Sequence, residues 1–244
     1  ENSEMSYKAT YIKYLLHFIF DAKTSRGELK SRDTYFIRIF DTIDPGTVGI
    51  GECGVLVGLS IDDRPDFEKK LQEICKKIQS LSFVNCPSDV DEVVSDLDLN
   101  YYPSIKFGIE AAFLDLLNGG LRLIYDTHFT RGENAIPING LIWMGDKDFM
   151  RRQIQEKIEN GFDCIKIKIG AINFRQECEL LKDVRRDYSS KEIILRVDVN
   201  GAFSNDQALE RLNILSEYDL HSIEQPIKAG KWEMGNGKWE MGNE

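Results

Sequence analysis

From Ile136 onward the sequence alternates strand-like and helix-like runs, and that alternation constrains its fold more than any other feature. Strands separated by helix-bearing connections return in the same direction, which specifies a parallel sheet with crossover helices. The predicted strands are 136–144, 164–169, 193–199 and 222–227, with helices over about 147–160, 174–187 and 205–217 between them. Ser204 and Gln207 form a capping-box pair for the last helix, and Ala208, Leu209, Leu212 and Leu215 mark its apolar face.

The first half reads differently. Residues 9–18, 34–43 and 47–52 are strand-like, with turn chemistry at Asp44-Pro45-Gly46, and suggest an antiparallel meander. A helix follows, with Pro65 in its first turn and Phe67, Leu71, Ile74, Ile78 and Leu81 on one face. Residues 89–100 are acidic and read as loop, whereas 104–117 read as a helix apolar almost all round, stopped by Gly119-Gly120 and therefore buried. The predicted fold class is an α+β capping domain over 6–130, then the first half of a (β/α)8-type barrel over 131–229. Residues 230–236 and 237–243 repeat GKWEMGN letter for letter. One seven-residue unit is too short for a repeat architecture, so 230–244 is expected to be irregular.

Three segments in the parallel half carry chemistry: Lys166-Ile167-Lys168, Arg196-Val197-Asp198-Val199-Asn200 and Ile223-Glu224-Gln225-Pro226. Residues two apart in a strand share a face, so Lys166 and Lys168 project together, as do Arg196, Asp198 and Asn200. Ile165, Ile167 and Ile169 point the other way, toward helices. Taken alone, K-x-K in a strand is more often a solvated edge than a catalytic pair, R-x-D-x-N could be a salt-bridged surface, and Glu224 could be a loop residue. Together they fall at the carboxyl ends of successive strands, the rim where parallel α/β folds place their sites. Two ammonium groups side by side repel, which makes one a better base near neutral pH. Asp198 and Glu224 are hard oxygen donors suited to Mg²⁺. Such a set fits removal of a proton next to a carboxylate, with a divalent ion holding the charge that develops.

Other candidates carry less. Gly49 to Gly54 matches G-x-G-x-x-G but lacks the following helix and the surrounding βαβ unit of a dinucleotide site. His17, His128 and His221 show no ligand spacing. Five cysteines form no C-x-x-C pair, and their odd number suits reduced, mostly buried thiols. A net charge of −10 disfavours non-specific attraction to nucleic acid or anionic membranes. The most apolar early stretch, 14–20, is far shorter than the ~20 residues of a membrane helix. The expectation is a cytoplasmic enzyme with no nucleic-acid or membrane partner.

On these motifs the chain resembles the enolase superfamily in its muconate-lactonizing-like branch, over about residues 7–226. Phe107 to Leu116 is similar to the buried helix of the family's capping domain, and Pro137-Ile138-Asn139-Gly140 to the first barrel strand. The resemblance implies Lys168 as the acid/base, Lys166 as its electrostatic assistant, and Asp198 and Glu224 as Mg²⁺ ligands, with Asn200 beside them. It implies substrate contacts from capping loops at 23–27, including Arg26, and at 51–60. The implied reaction is dehydration of 2-succinyl-6-hydroxy-2,4-cyclohexadiene-1-carboxylate to o-succinylbenzoate in menaquinone biosynthesis, on a small-molecule carboxylate substrate. Dipeptide epimerisation and N-succinylamino acid racemisation use the same residues in this superfamily. The family has eight barrel strands, with a third metal ligand on the fifth and a second lysine on the sixth. Only four strands are read here, so the sequence looks truncated and is expected to be inactive alone. A non-catalytic half-barrel scaffold, or a homo-oligomer covering the unpaired edges, is the competing expectation.

Overall fold

Three strands open the chain: β1 (Tyr7–Thr24), β2 (Gly27–Asp41) and β3 (Gly49–Cys53), in sheet order β1-β2-β3. The structure, a computed structural model, describes residues 6–24, 27–228 and 230, with 20–24 and 27–29 by backbone alone. The repeated tail beyond Gly230 and Arg26 therefore lie outside the described residues. The chain divides into two compact units, one of residues 1–20 and 30–136 and the other of residues 21–29 and 137–244.

In the first unit β3 runs antiparallel to β2, Tyr35 opposite Cys53 and Ile39 opposite Gly49. The strand period puts Tyr35, Ile37 and Ile39 on one buried face. They share a core with α1 (Phe67–Lys77), α2 (Pro87–Ser95) and α3 (Pro103–Leu117). Asp66 is the N-cap of α1, so Pro65 precedes the helix rather than joining its first turn. The stretch expected as an acidic loop contains α2. Its Val90, Val93 and Val94 are buried at helical spacing, and Asp89 accepts from the Asn85 and Cys86 backbone N–H at 2.8 and 3.1 Å. The acidic residues lie on the solvent side of a short amphipathic helix.

Helix α3 is largely buried, as its composition predicts, but Phe107 is exposed and Asp115 is not. The Asp115 carboxylate accepts from the backbone N–H of Ile50 and Arg122 at 2.9 and 2.6 Å and from the Arg122 guanidinium at 2.6 Å. It ties β3 and the loop after α3 to the helix. Gly49 and Gly51 of the G-x-G-x-x-G string serve the same crossing. A Cβ on Gly51 would lie 1.7 Å from the Gly108 carbonyl oxygen, and one on Gly49 1.9 Å from that of Ala112. Backbone approaches backbone there, and no side chain fits.

The second unit is a parallel sheet in the order β4 (Gly140–Ile142), β5 (Cys164–Lys168), β6 (Ile194–Asp198) and β7 (Leu220–Glu224). Helices α4 (Lys147–Glu159), α5 (Phe174–Asp187) and α6 (Asn205–Leu215) connect them. Ile165, Ile167, Ile169, Leu195 and Val197 are buried in a core shared with Met150, Leu181 and Ala208 of the helices.

Two local expectations fail. Strand β4 is only three residues long, because Pro137 lacks a ladder N–H and the Gln153 side chain takes both the N–H and the carbonyl of Trp143 at 3.0 Å. Helix α6 starts at Ser204 without a side-chain cap: the Ser204 carbonyl receives the Gln207 and Ala208 N–H groups. Ala208 and Leu215 are buried on α6, whereas Leu209 is exposed. All five cysteines are free, four of them buried, and burial pushes the Cys53 thiol up to about 12. Among the described residues no helix is long and apolar enough to cross a membrane.

Candidate active site

Lys168, Asp198 and Glu224 are each the last residue of a strand, and the register places Lys168 beside Asp198 and Asp198 beside Glu224. The alternation that buries the isoleucines of β5 on the helix side turns Lys166 and Lys168 to the opposite face. Asp198 is the hub. It is 4% exposed, and its Oδ2 receives Lys168 Nζ at 3.2 Å and Lys166 Nζ at 3.7 Å. Lys166 also pairs with Glu224. The repulsion expected between the lysines is thus offset by a shared buried carboxylate.

Asn200 adopts a left-handed conformation, φ 54°, just past β6. Its backbone N–H donates to Asp198 Oδ1 at 3.0 Å, and its side-chain oxygen lies 3.5 Å from Lys168 Nζ. Asn200 therefore orients both partners of the central pair. The other predicted strand residue on this face, Arg196, has a buried Nε with no hydrogen-bond partner among the described residues. Lys166, Lys168, Asp198, Asn200 and Glu224 come together as the motifs predict; Arg26 lies outside the described residues. Trp143, which the motif reading passes over, stands 5.8 Å from Lys168 Nζ at its ring centroid. Its signal was present, an aromatic just past the first parallel strand, at the same rim.

A divalent cation is a chemical fit for part of this set. Asp198 Oδ1 is engaged by the Asn200 N–H and Oδ2 by Lys168, while the Lys166 ammonium already joins Asp198 Oδ2 to the Glu224 carboxylate, so positive charge is drawn to this pair. Two protein carboxylates with several waters are a usual complement for Mg²⁺. Among the described residues no group of three or more His, Cys, Asp or Glu side chains gathers for a metal. The arrangement sets two lysine ammonium groups beside a pair of carboxylates at the carboxyl ends of a parallel sheet, a set whose chemistry suits proton transfer next to a bound cation.

Residues 149–235 match the family described as Enolase C-terminal domain-like. Over 232 residues the chain is 39% identical to the o-succinylbenzoate synthase of Desulfotalea psychrophila, covering 86% of this chain and 62% of that protein. The crystal structure of MenC from Desulfotalea psychrophila LSv54 matches with a TM-score of 0.79 at 33% identity, over 93% of this chain and 66% of that one. A dipeptide epimerase from Enterococcus faecalis V583, solved with Mg and the dipeptide L-Leu-L-Tyr, matches with a TM-score of 0.72 at 20% identity. That match covers 91% of this chain and 62% of the epimerase, and at such identity it shows a shared fold. The chain spans under two thirds of the length of each of these relatives.

Proposed function

We propose that the chain belongs to the enolase superfamily, a reading supported by the family match over 149–235 and by the 39% identity to an o-succinylbenzoate synthase, and that the protein carrying it is an o-succinylbenzoate synthase, a Mg²⁺-dependent lyase. The observation that carries this reading is the Lys168–Asp198 pair at 3.2 Å with Glu224 alongside, in a chain 39% identical to a synthase of that name.

Asp198 and Glu224 would hold Mg²⁺, which when bound would neutralise charge developing on the substrate carboxylate. Lys168 is held beside the pair through Asp198 Oδ2. Its amine removes the proton alpha to the carboxylate, and the resulting ammonium returns that proton to the departing hydroxyl, which leaves as water. One group serves both steps, so its position must hold throughout. Asn200 and Trp143 flank it, and Lys166 adds positive charge near the carboxylates. Arg26 and the loop at 51–60 are proposed as substrate contacts on the strength of the resemblance.

Dipeptide epimerisation or N-succinylamino acid racemisation is the second reading, since the E. faecalis epimerase shares this fold. Both readings begin with the same proton removal. A substrate panel separates them: the cyclohexadiene carboxylate should give o-succinylbenzoate, while turnover confined to dipeptides or N-succinylamino acids would replace the lyase assignment. No turnover on any of them, with a folded protein, would favour a binding role for the half barrel.

A further inference from the structure

We propose that Glu177 is a positioning residue for Lys168: from α5 it grips the loop leaving β5 and so fixes where the lysine stands against Asp198. The inference rests on the functional reading above only in naming Lys168 as the acid/base.

Glu177 is 2% exposed, an unusual setting for a glutamate in the first turns of a helix. Its Oε1 accepts from the backbone N–H of Gly170 at 2.6 Å and of Ile172 at 3.4 Å. Oε2 is buried without a partner among the described residues. A buried orphan oxygen costs free energy. Burial pushes the carboxyl above the usual carboxylate range, against the downward pull of the Gly170, Ile172 and Ala171 N–H groups and of Arg211.

The loop that Glu177 holds begins two residues after Lys168. Ile169 makes the last ladder bond, donating its N–H to the Asp198 carbonyl at 2.9 Å. Gly170 then turns with φ 99°, and a Cβ there would lie 2.5 Å from the Ala202 side chain. The loops leaving β5 and β6 touch at that point. Arg211 of α6 braces the start of α5 against the loop leaving β6: its guanidinium lies 5.0 Å from the Phe174 ring and 4.9 Å from the Phe203 ring, which meet edge to face. Lys168 is therefore followed at once by a ladder bond at Ile169 and a carboxyl clasp at Gly170, which together fix the chain as it leaves the lysine. A side chain acting only on stability would leave Lys168 unchanged in the folded protein.

Trace acylation of the native protein with acetic anhydride, read by peptide mass spectrometry, tests this without depending on turnover. Exposed Lys182 on α5 serves as the internal reference. In Glu177→Ala, shown folded by circular dichroism, Lys168 acylation relative to Lys182 should rise several-fold. Glu177→Gln, which keeps an acceptor for the Gly170 N–H, should stay near wild type. Unchanged Lys168 reactivity in folded Glu177→Ala overturns the proposal. If Glu177→Ala does not fold, Glu177→Asp, which withdraws the carboxyl by one methylene, takes its place with the same two outcomes. Where the wild type turns over, the clasp should also appear as a lower kcat at unchanged KM. Failure of the functional reading would show as an inactive wild type and would leave the acylation result standing.

Discussion

Lys166 bridges Asp198 and Glu224, so an ammonium stands where the proposed Mg²⁺ would be drawn. Two cations cannot share that space without repulsion. Millimolar Mg²⁺ should therefore release Lys166 and raise its acylation relative to Lys182, and an unchanged rate would remove Asp198 and Glu224 as ligands. Glu177 makes a pH prediction. Its folded pKa is raised above the ordinary 4.5, so its contribution to stability is present below 4.5 and is lost as pH rises through the folded value. Glu177→Gln has no such loss. Urea titrations across that window should show the variant gaining stability relative to wild type as pH increases; a pH-independent difference would mean that the carboxyl is not perturbed. Lys168, Asp198 and Glu224 were legible in the sequence because strand period and strand order fix their face and their rim. Glu177 was not, because an acidic residue early in a helix normally faces solvent, and its burial depends on a loop folding back over it.

At the scale of elements, the tightest constraint is the crossing of β3 on α3. Gly51→Ala would drive a methyl group into the Gly108 carbonyl, and since both partners are backbone the strain cannot be relieved by a rotamer change. Chemical denaturation should show a loss of at least about 3 kcal/mol; a loss below about 1 kcal/mol would mean that the helix is free to move off the strand. Long periodic elements read well from sequence: α5 lies at Phe174–Asp187, as its apolar spacing requires. The failures lie where tertiary contacts decide. The acidic residues of Pro87–Ser95 obscured Val90, Val93 and Val94, whose burial makes the helix. Gln153 ends β4 from ten residues away, and such a contact leaves no local trace. Asp115 interrupts an apolar helix for a reason visible only once Ile50 and Arg122 are beside it.

At the scale of the whole molecule, an antiparallel sheet with helices is followed by four parallel strands that gather one lysine and two carboxylates at their carboxyl ends. The resemblance read from the sequence and the match to o-succinylbenzoate synthase over 86% of the chain agree on the superfamily. The central claim is that Lys168 moves the proton and that Asp198 and Glu224 hold the metal. Its most direct test is the rate of o-succinylbenzoate formation by the native protein carrying this chain, with Mg²⁺ and with excess EDTA, for wild type, Lys168→Ala and Asp198→Asn. EDTA should abolish turnover and Mg²⁺ restore it, and each substitution should lower kcat by at least about 100-fold in folded protein. Turnover that survives EDTA, or a folded Lys168→Ala that keeps the wild-type rate, would contradict the claim.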